Sequence, residues 1–343
     1  MRTERFNILK IGQRRLKYYA PGIVSCALLV ALASCDHNEQ LPAESNLPGE
    51  KAELEISRIG LDDTVENRAS SVSGVPTSGH VGFYLKGDNG YTQVCNCEGS
   101  YDTGKSAWVP NTAILLGSNT ATLAIYYPYN NAQSTATSKI TLTSVLREKS
   151  ASDHSSRTDK DIWSDCFTAN LLSCFGTNKI TRDLKHIYTR MLITLVKDVT
   201  FIGNGDWTKV ELAGAGVYST ASFNPLEATK LNAYSDHSTL GFSCMFDAKT
   251  VSATASPTTD LLLVPTTDMS SDMELTVTVS GKAMKVTIPK EKFTEVTSGS
   301  YRMLPEKQYN LTIILRPTDL EVATLNTTDW EPVTVSGNHG TTN

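Results

Sequence analysis

Short segments in which polar and apolar residues alternate recur along most of this 343-residue chain. A period of two is typical of strands that bury one face, and such segments at short spacing predict an all-β protein. The first lies at residues 53–57 (Glu-Leu-Glu-Ile-Ser), before a polar loop. Further segments of this kind are residues 80–85, 122–127, 139–146, 191–201, 217–223, 240–246, 260–264, 309–315, 321–325 and 330–335.

The clearest local motif is a β-hairpin near the middle of the second half. Residues 275–279 and 283–288 are alternating arms on either side of a turn that contains Gly281. A second cluster of turn residues, at 203–206 (Gly-Asn-Gly-Asp), follows a long apolar strand. We place a domain boundary there. The expected architecture is therefore two β-sandwich domains in tandem, at residues 52–203 and 204–343.

The N-terminus carries a different pattern, an uninterrupted apolar run at residues 23–35 that follows six basic residues. A membrane-spanning helix needs about 20 apolar residues, so this run has the length of a secretion signal. Its end, Leu-Ala-Ser-Cys35, resembles a bacterial lipobox, in which the cysteine is lipidated and the chain is cut before it. We predict a lipoprotein signal peptide at residues 1–34 and lipidation of Cys35; the alternative is an ordinary secretory signal in which Cys35 is incidental. Residues 35–51 are polar, contain two prolines and predict a flexible spacer.

Composition narrows the possible partners and the role of the cysteines. The formal net charge is −5, and Lys and Arg are scattered rather than clustered, which argues against nucleic acid as a partner. Five cysteines remain beyond Cys35, an odd number without a C-x-x-C pair, so neither a disulfide framework nor a zinc site is indicated. Cys166 and Cys174 either pair in an oxidising compartment or serve as small half-buried hydrophobes. The five are Cys95, Cys97, Cys166, Cys174 and Cys244.

The motifs that carry chemistry give no support for an enzyme. Residues 99–106 (Gly-Ser-Tyr-Asp-Thr-Gly-Lys-Ser) match the phosphate-binding loop pattern G-x-x-x-x-G-K-S. That loop requires a helix after it, and Pro110 forbids one, so a Gly-rich hairpin turn is the better interpretation. The six histidines are far apart, and no G-x-S-x-G turn supplies a nucleophile. We predict no catalytic residue, no metal site and no cofactor.

The aromatic residues leave two interpretations open. Aromatic side chains on an exposed face could stack on sugars, whereas in a β-sandwich they more often fill the core. The residues concerned are Trp108, Tyr126, Tyr127, Tyr129 and Trp163.

Several motifs, taken in their order along the chain, resemble the fimbrillin family, the subunits of type V pili of anaerobic gut and oral bacteria. They are the lipobox at Cys35, the strand at residues 53–57 before an Arg-containing loop, and Ala-Ile-Tyr-Tyr-Pro-Tyr at 124–129. To these are added Asp-Leu-Lys-His at 183–186 leading into the strand that begins at Met191, the strand at 309–315 and the closing Thr-Asp-Trp at 328–330.

The resemblance implies a mechanism of assembly. Such proteins reach the outer membrane as surface-exposed lipoproteins and fold as two β-sandwiches. In polymerising members an arginine-specific protease cuts a loop after the first strand, and the C-terminal strand of a neighbouring subunit fills the groove that is left. In this sequence the removable strand is residues 54–61. Cleavage is expected after Arg68, with Arg58 as second choice, and the donor strand is expected within residues 320–335.

The expected partners are therefore other pilus subunits, the outer membrane through the lipid anchor, and a ligand on a host or microbial surface. A processed protein is expected in the pilus. The main alternative is an uncleaved surface lipoprotein that binds glycans for nutrient uptake, with Trp108 and Trp163 on an exposed face.

Overall fold

The computed structural model describes residues 50–61, 74–147, 161–175, 180–214, 216–227, 232–266 and 268–330. In these ranges the chain forms strands and two short 3-10 helices, at Leu171–Cys174 and Lys290–Lys292, and no α-helix. The all-β class is confirmed. The strands are β1 (Ala52–Glu53), β2 (Ile56–Leu61), β3 (Val81–Leu85), β4 (Val94–Asp102), β5 (Ala107–Pro110), β6 (Leu115–Leu116), β7 (Ala121–Tyr127), β8 (Ile140–Thr143), β9 (Val145–Leu146), β10 (Trp163–Ala169), β11 (Ile180–His186), β12 (Thr189–Lys197), β13 (Gly205–Ala213), β14 (Tyr218–Phe223), β15 (Tyr234–Leu240), β16 (Phe242–Val251), β17 (Thr258–Leu263), β18 (Met273–Val279), β19 (Lys282–Ile288), β20 (Thr294–Thr297), β21 (Ser300–Arg302), β22 (Lys307–Leu315) and β23 (Leu320–Asp329).

The first half of the chain builds a sheet that closes on itself. Its strand order is β10-β11-β2-β5-β4-β3-β7, and β7 pairs with β10 to complete the ring. Alternation along these strands places one set of side chains inside, because successive residues point to opposite faces. The enclosed core includes Leu54, Ile56, Ile59, Phe83, Trp108, Leu123, Ile125, Phe167 and Leu184.

The second half contributes two facing sheets with an apolar core of their own. A five-stranded sheet has the order β23-β22-β12-β17-β9, and a four-stranded sheet has the order β16-β13-β18-β19. Trp207 is fully buried in the cluster that both sheets share. The predicted hairpin is confirmed as β18–β19, whose turn uses positive φ angles at Ser280 (49°) and Gly281 (78°). Gly281 relieves the steric cost of that conformation, as two-residue hairpin turns require.

A third cluster of buried residues lies under the small sheet β15-β14-β8. It joins aromatic residues of the first half, such as Tyr126, with Phe223, Tyr234 and Trp330 of the second half. Sheet pairing likewise connects segments on both sides of residue 203, because β12 pairs with β17 and with β22. The division into domains at residues 52–203 and 204–343 stays a prediction.

No helix in the part of the chain that the structure describes is long and apolar enough to cross a membrane. The predicted signal peptide, the spacer up to residue 49 and Cys35 lie outside the described residues.

Candidate strand-exchange site

The apolar side chains of the first strand are deeply buried. Leu54 and Ile56 are fully buried and Ile59 is 2% exposed. All three belong to the core inside the closed sheet. The apolar positions of the sequence pattern therefore face inward, and the expected strand at residues 54–61 is present as β2 with the residues before it.

Backbone pairing holds β2 from several sides. It runs parallel to β11, where residues 56 and 58–61 pair with residues 180–184 across a register shift, and it meets β5 at one antiparallel pair, Ile56 opposite Trp108. The Leu54 amide donates to Ile114 O at 2.8 Å. Beyond Leu61, the chain returns beside the same strand, because the Val75 amide donates to Ile59 O at 3.0 Å and Gly74 bridges to Gly60.

Ion pairs connect charged side chains on the exposed face of the first strand with neighbouring parts of the same sheet. Lys105 Nζ contacts Glu53 Oε2 at 2.5 Å and Glu55 Oε1 at 3.1 Å, and these hydrogen bonds raise the pKa of the Lys105 ammonium. Arg58 contacts Asp183 of β11 at 3.3 Å, with both side chains about half exposed. Exposed ion pairs of this kind add little to stability but favour one register.

The motif at residues 99–106 is the turn between β4 and β5, which confirms the hairpin interpretation. Asp102 Oδ1 accepts hydrogen bonds from the Gly104 amide (2.8 Å) and the Lys105 amide (3.2 Å), so a carboxylate caps the turn. Its lysine reaches back to the first strand. The loop therefore fixes Lys105 above Glu53 instead of forming a phosphate cradle.

Arg58 and Arg68, the two candidate cleavage sites, lie in different parts of the chain. Arg58 lies within β2, where its backbone is paired with Thr181 of β11. Arg68 lies in the segment 62–73, outside the described residues, between the buried strand and the returning residue Gly74. Cys35 is likewise outside, so the lipidation and cleavage hypotheses stay predictions.

The last strand, in contrast to the buried first strand, lies at the edge of its sheet and is largely exposed. β23 forms the edge of the five-stranded sheet and pairs only with β22 among the described strands. Leu320 is buried, Val322 and Leu325 are partly buried against the core, and the residues from Asn326 to Asp329 are exposed. The expected donor segment is thus folded back on its own subunit up to Asp329, and Val333 and Val335 lie outside the described residues.

Trp330 ends this strand in an aromatic stack that the sequence pattern did not reveal. Its ring lies parallel to the His186 imidazole, with centroids 3.6 Å apart and an interplanar angle of 1°. His186 in turn contacts the Trp163 ring at 3.4 Å, and its Nδ1 lies 3.0 Å from Asp161 Oδ1. The Trp330 amide donates to Glu306 O at 3.0 Å, so both backbone and ring are fixed.

Buried charges surround the stack. Arg190 makes a bidentate pair with Asp260, through Nε to Oδ1 (3.0 Å) and Nη2 to Oδ2 (2.8 Å). Arg147 joins Asp260 at 3.1 Å and Asp161 at 3.6 Å. Both guanidinium carbons lie just under 6 Å from the Trp330 ring centroid, within cation–π range. Two arginines thus face two aspartates, which compensates the charges in a mostly buried place.

The aromatic platform of the glycan-binding alternative is not on the surface. Trp108 is 2% exposed, Trp163 is 8% exposed and Tyr126 is fully buried. The Tyr126 hydroxyl donates to Asn96 Oδ1 at 2.6 Å inside the protein. These three side chains fill cores, so the interpretation of Trp108 and Trp163 as an exposed sugar-stacking surface is wrong, and only Tyr127 and Tyr129 of the set are partly exposed.

None of the five described cysteines forms a disulfide. Burial raises the pKa of Cys166 to about 11, and it also raises the pKa of Cys174. Cys174 packs against the core of the closed sheet, whereas Cys166 points away from it, since its neighbour Phe167 points inward. The pairing of Cys166 with Cys174 is therefore not formed. Within the described ranges, no group of three or more His, Cys, Asp or Glu residues is placed to hold a metal ion.

Comparison with known proteins gives a family for this fold. A family model described as Fimbrillin-like matches residues 76–330. Among solved structures, a proposed cell adhesion protein of Bacteroides ovatus superposes with a TM-score of 0.52 at 17% identity, covering 82% of this chain and 99% of the other. The shared fold confirms an all-β architecture of this type.

Two further structures are similar at lower scores. A fimbrial protein of Bacteroides vulgatus has a TM-score of 0.45 at 10% identity, over 80% of this chain and 99% of its own. The tip fimbrial protein Mfa3 of Porphyromonas gingivalis, truncated at its C-terminus, has a TM-score of 0.44 at 12% identity, over 82% of this chain and 100% of its own. No curated protein sequence is detectably similar.

Proposed function

Because the chain belongs to the fimbrillin-like family, we propose that it is a structural or adhesive subunit of a cell-surface pilus, exported as a lipoprotein and assembled by strand exchange. The family consists of fimbrial and adhesion proteins of the cell surface, and its members are not enzymes. Assembly requires removal of the first strand, after which the C-terminal strand of another subunit occupies its place.

The burial of the first strand is the observation that carries this proposal. Leu54, Ile56 and Ile59 are 2% exposed or less. Their burial contributes about 1.5–3 kcal/mol each, or about 5–9 kcal/mol together. A whole domain has a stability of about 5–15 kcal/mol. A subunit without this strand therefore has a strong drive to accept another one, by β-strand addition.

The cleavage point follows from backbone accessibility. A protease needs an extended, unpaired backbone, and the Arg58 backbone is paired within β2. A cut after Arg58 would also leave Ile59 in the core, whereas a cut after Arg68 frees all three buried side chains. Arg68 is therefore the better candidate, and the loop residues beside it, Glu66, Asn67, Ala69 and Ser70, are polar or small.

The donor is proposed to come from residues 320–335. Leu320, Val322, Leu325 and Trp330 supply apolar side chains in the described part. In a filament these side chains would fill the groove of a neighbouring subunit, in place of the first strand of that subunit. The proposed partners of this protein are therefore other pilus subunits.

Treatment of purified precursor with an arginine-specific protease tests this proposal. We expect a product that begins at Ala69 and forms a ladder of oligomers on native gels and filaments in electron micrographs. Arg68→Ala should block both, and Arg58→Ala is the matched control that should block neither. A product that begins at Ile59 would move the site to Arg58, and a cut protein that stays monomeric would contradict strand exchange.

The lipid anchor has a separate test. We expect Cys35→Ser to abolish incorporation of a labelled fatty acid and to release the protein from the outer membrane. Cys26→Ser is the matched control, because Cys26 lies inside the predicted signal peptide and should leave labelling intact. Labelling that survives Cys35→Ser would make Cys35 an incidental residue of an ordinary signal.

A further inference from the structure

A single strand, β11, contacts both the first strand and the end of the last one. Residues 180–184 of β11 form the parallel ladder with β2. His186, at the other end of the same strand, carries the ring on which Trp330 stacks. The two segments that must move during strand exchange are therefore joined through seven consecutive residues.

The backbone pairing of β11 differs between its two ends. Its residues 180–184 pair with β2, whereas only Lys185 and His186 pair with β10. Side chains add contacts with β10: Arg182 pairs with Asp165 at 2.6 Å and lies over the Phe167 ring, and His186 stacks on Trp163. Loss of β2 would therefore remove most of the backbone ladder of β11 and would expose Ile180 and Leu184, which it covers within the same core.

The last strand is held by its ladder with β22, which pairs nine of its ten residues, and by Trp330 just beyond its C-terminal end. β23 is an edge strand that pairs with β22 alone among the described strands, and most of its residues are at least partly exposed. Trp330 is 6% exposed and is the only large buried side chain at its C-terminal end in the described range. Stacking on His186 therefore adds to the β22 ladder in holding this end on its own subunit.

From these contacts we infer that β11 and Trp330 form a latch: Trp330 keeps the C-terminal strand on its own subunit while β2 is in place, and loss of β2 loosens β11 and releases it. The inference rests on the proposed function in one respect, that β2 leaves during assembly. It adds an order of events, in which a subunit becomes a donor only after it has become an acceptor.

Hydrogen exchange of the uncut chain tests the latch without any protease. We expect Ile56→Ala, which weakens the docking of β2, to raise amide exchange of residues 320–329 roughly tenfold. Leu123→Ala is the matched control, because Leu123 is fully buried in the same core on β7, which does not pair with β11. Equal acceleration by both variants, or none by Ile56→Ala, would overturn the coupling.

A second pair of variants tests the stack itself. We expect Trp330→Leu to raise exchange of residues 320–329 roughly tenfold while β2 stays protected, and Trp330→Phe, which keeps an aromatic ring, to recover part of the protection. Protection that is the same in Trp330→Leu and in the parent chain would overturn the role of the stack.

The cut protein separates this inference from the proposed function. Oligomers that form while residues 320–329 stay as protected in the cut monomer as in the precursor would overturn the latch and leave strand exchange intact. Cut protein that fails to assemble, together with faster exchange in Ile56→Ala but not in Leu123→Ala, would support the latch and contradict strand exchange.

Discussion

The first and the last strand of the protein contribute to stability in opposite ways. β2 and the residue Leu54 just before it carry three side chains that are almost fully buried, and β2 lies between neighbours inside a closed sheet. β23 is longer but lies at an open edge, and it is held by its ladder with β22, by a few partly buried apolar side chains and by Trp330 just beyond it. Burial, rather than strand length or ladder length, therefore distinguishes the segment that fills the groove of the precursor from the segment that is proposed to be donated to a neighbour.

Introducing a charge gives the largest expected difference between the two strands. We expect Ile56→Asp to lower the free energy of unfolding by more than about 4 kcal/mol, because it buries an unpaired carboxylate. Thr324→Asp, on the exposed part of β23, should change it by less than about 0.5 kcal/mol. Urea denaturation of both variants measures this. Similar losses would show that the two strands are equally buried in solution.

Truncation of the Trp330 side chain should have the next largest effect on the free energy of unfolding. We expect Trp330→Ala to cost about 3 kcal/mol, from lost burial and lost stacking on His186. Urea denaturation measures this as well, and Leu325→Ala, which is only partly buried on the same hairpin, serves as the comparison with a smaller expected loss. A Trp330→Ala cost no larger than that of Leu325→Ala would make the Trp330 side chain unimportant.

Cysteine reactivity reports on the first strand with a smaller signal. The Cys174 thiol packs in the core beside Glu55, whereas Cys166 faces the other side of its sheet. Removal of the first strand should therefore speed alkylation of Cys174 severalfold and leave Cys166 unchanged, since a thiolate forms more readily once burial is relieved. Mass spectrometry after timed iodoacetamide treatment measures both rates. Faster alkylation of both thiols would indicate general unfolding instead.

The smallest expected effect concerns Lys105. Its pKa is raised in the folded protein by Glu53 and Glu55, so its contribution is fully present below the ordinary lysine pKa of 10.5 and is lost as pH rises through the raised value. Lys105→Met should remove this alkaline dependence, which hydrogen exchange of β2 between neutral and alkaline pH can follow after correction for intrinsic rates. Lys285, which pairs with Glu274 on β19 and β18, offers a control far from the first strand.

Much of the strand content was predictable from alternation. The segments that became β2, β7, β12, β22 and the β18–β19 hairpin were all visible in the sequence, because each has one apolar face. β11 was missed: its inward residues Ile180, Leu184 and His186 are interspersed with Thr, Arg, Asp and Lys, which resemble a solvated loop. β10 was missed for the same reason, with Ser, Asp and Thr between its buried aromatics.

The candidate site was predictable only in part. The position and burial of the first strand followed from Leu54 and Ile56, and its family from the order of short motifs. Its partner strand did not, because β11 lies more than a hundred residues away and pairs in parallel, a relation that no local pattern encodes. Trp330 was expected to begin another strand, yet it turns onto His186, since the stack depends on three positions distant in sequence.

The direction of β2 bears on whether assembly is reversible. β2 runs parallel to β11, and parallel ladders have slanted hydrogen bonds that are slightly less stable per residue than antiparallel ones. A strand that later occupies the same position in the opposite direction would make the stronger ladder with β11 over five pairs, and would lose antiparallel pairing with β5 at only one. The precursor would then be a higher-energy arrangement of the same groove, and a strand once exchanged would not be displaced by the one that it replaced.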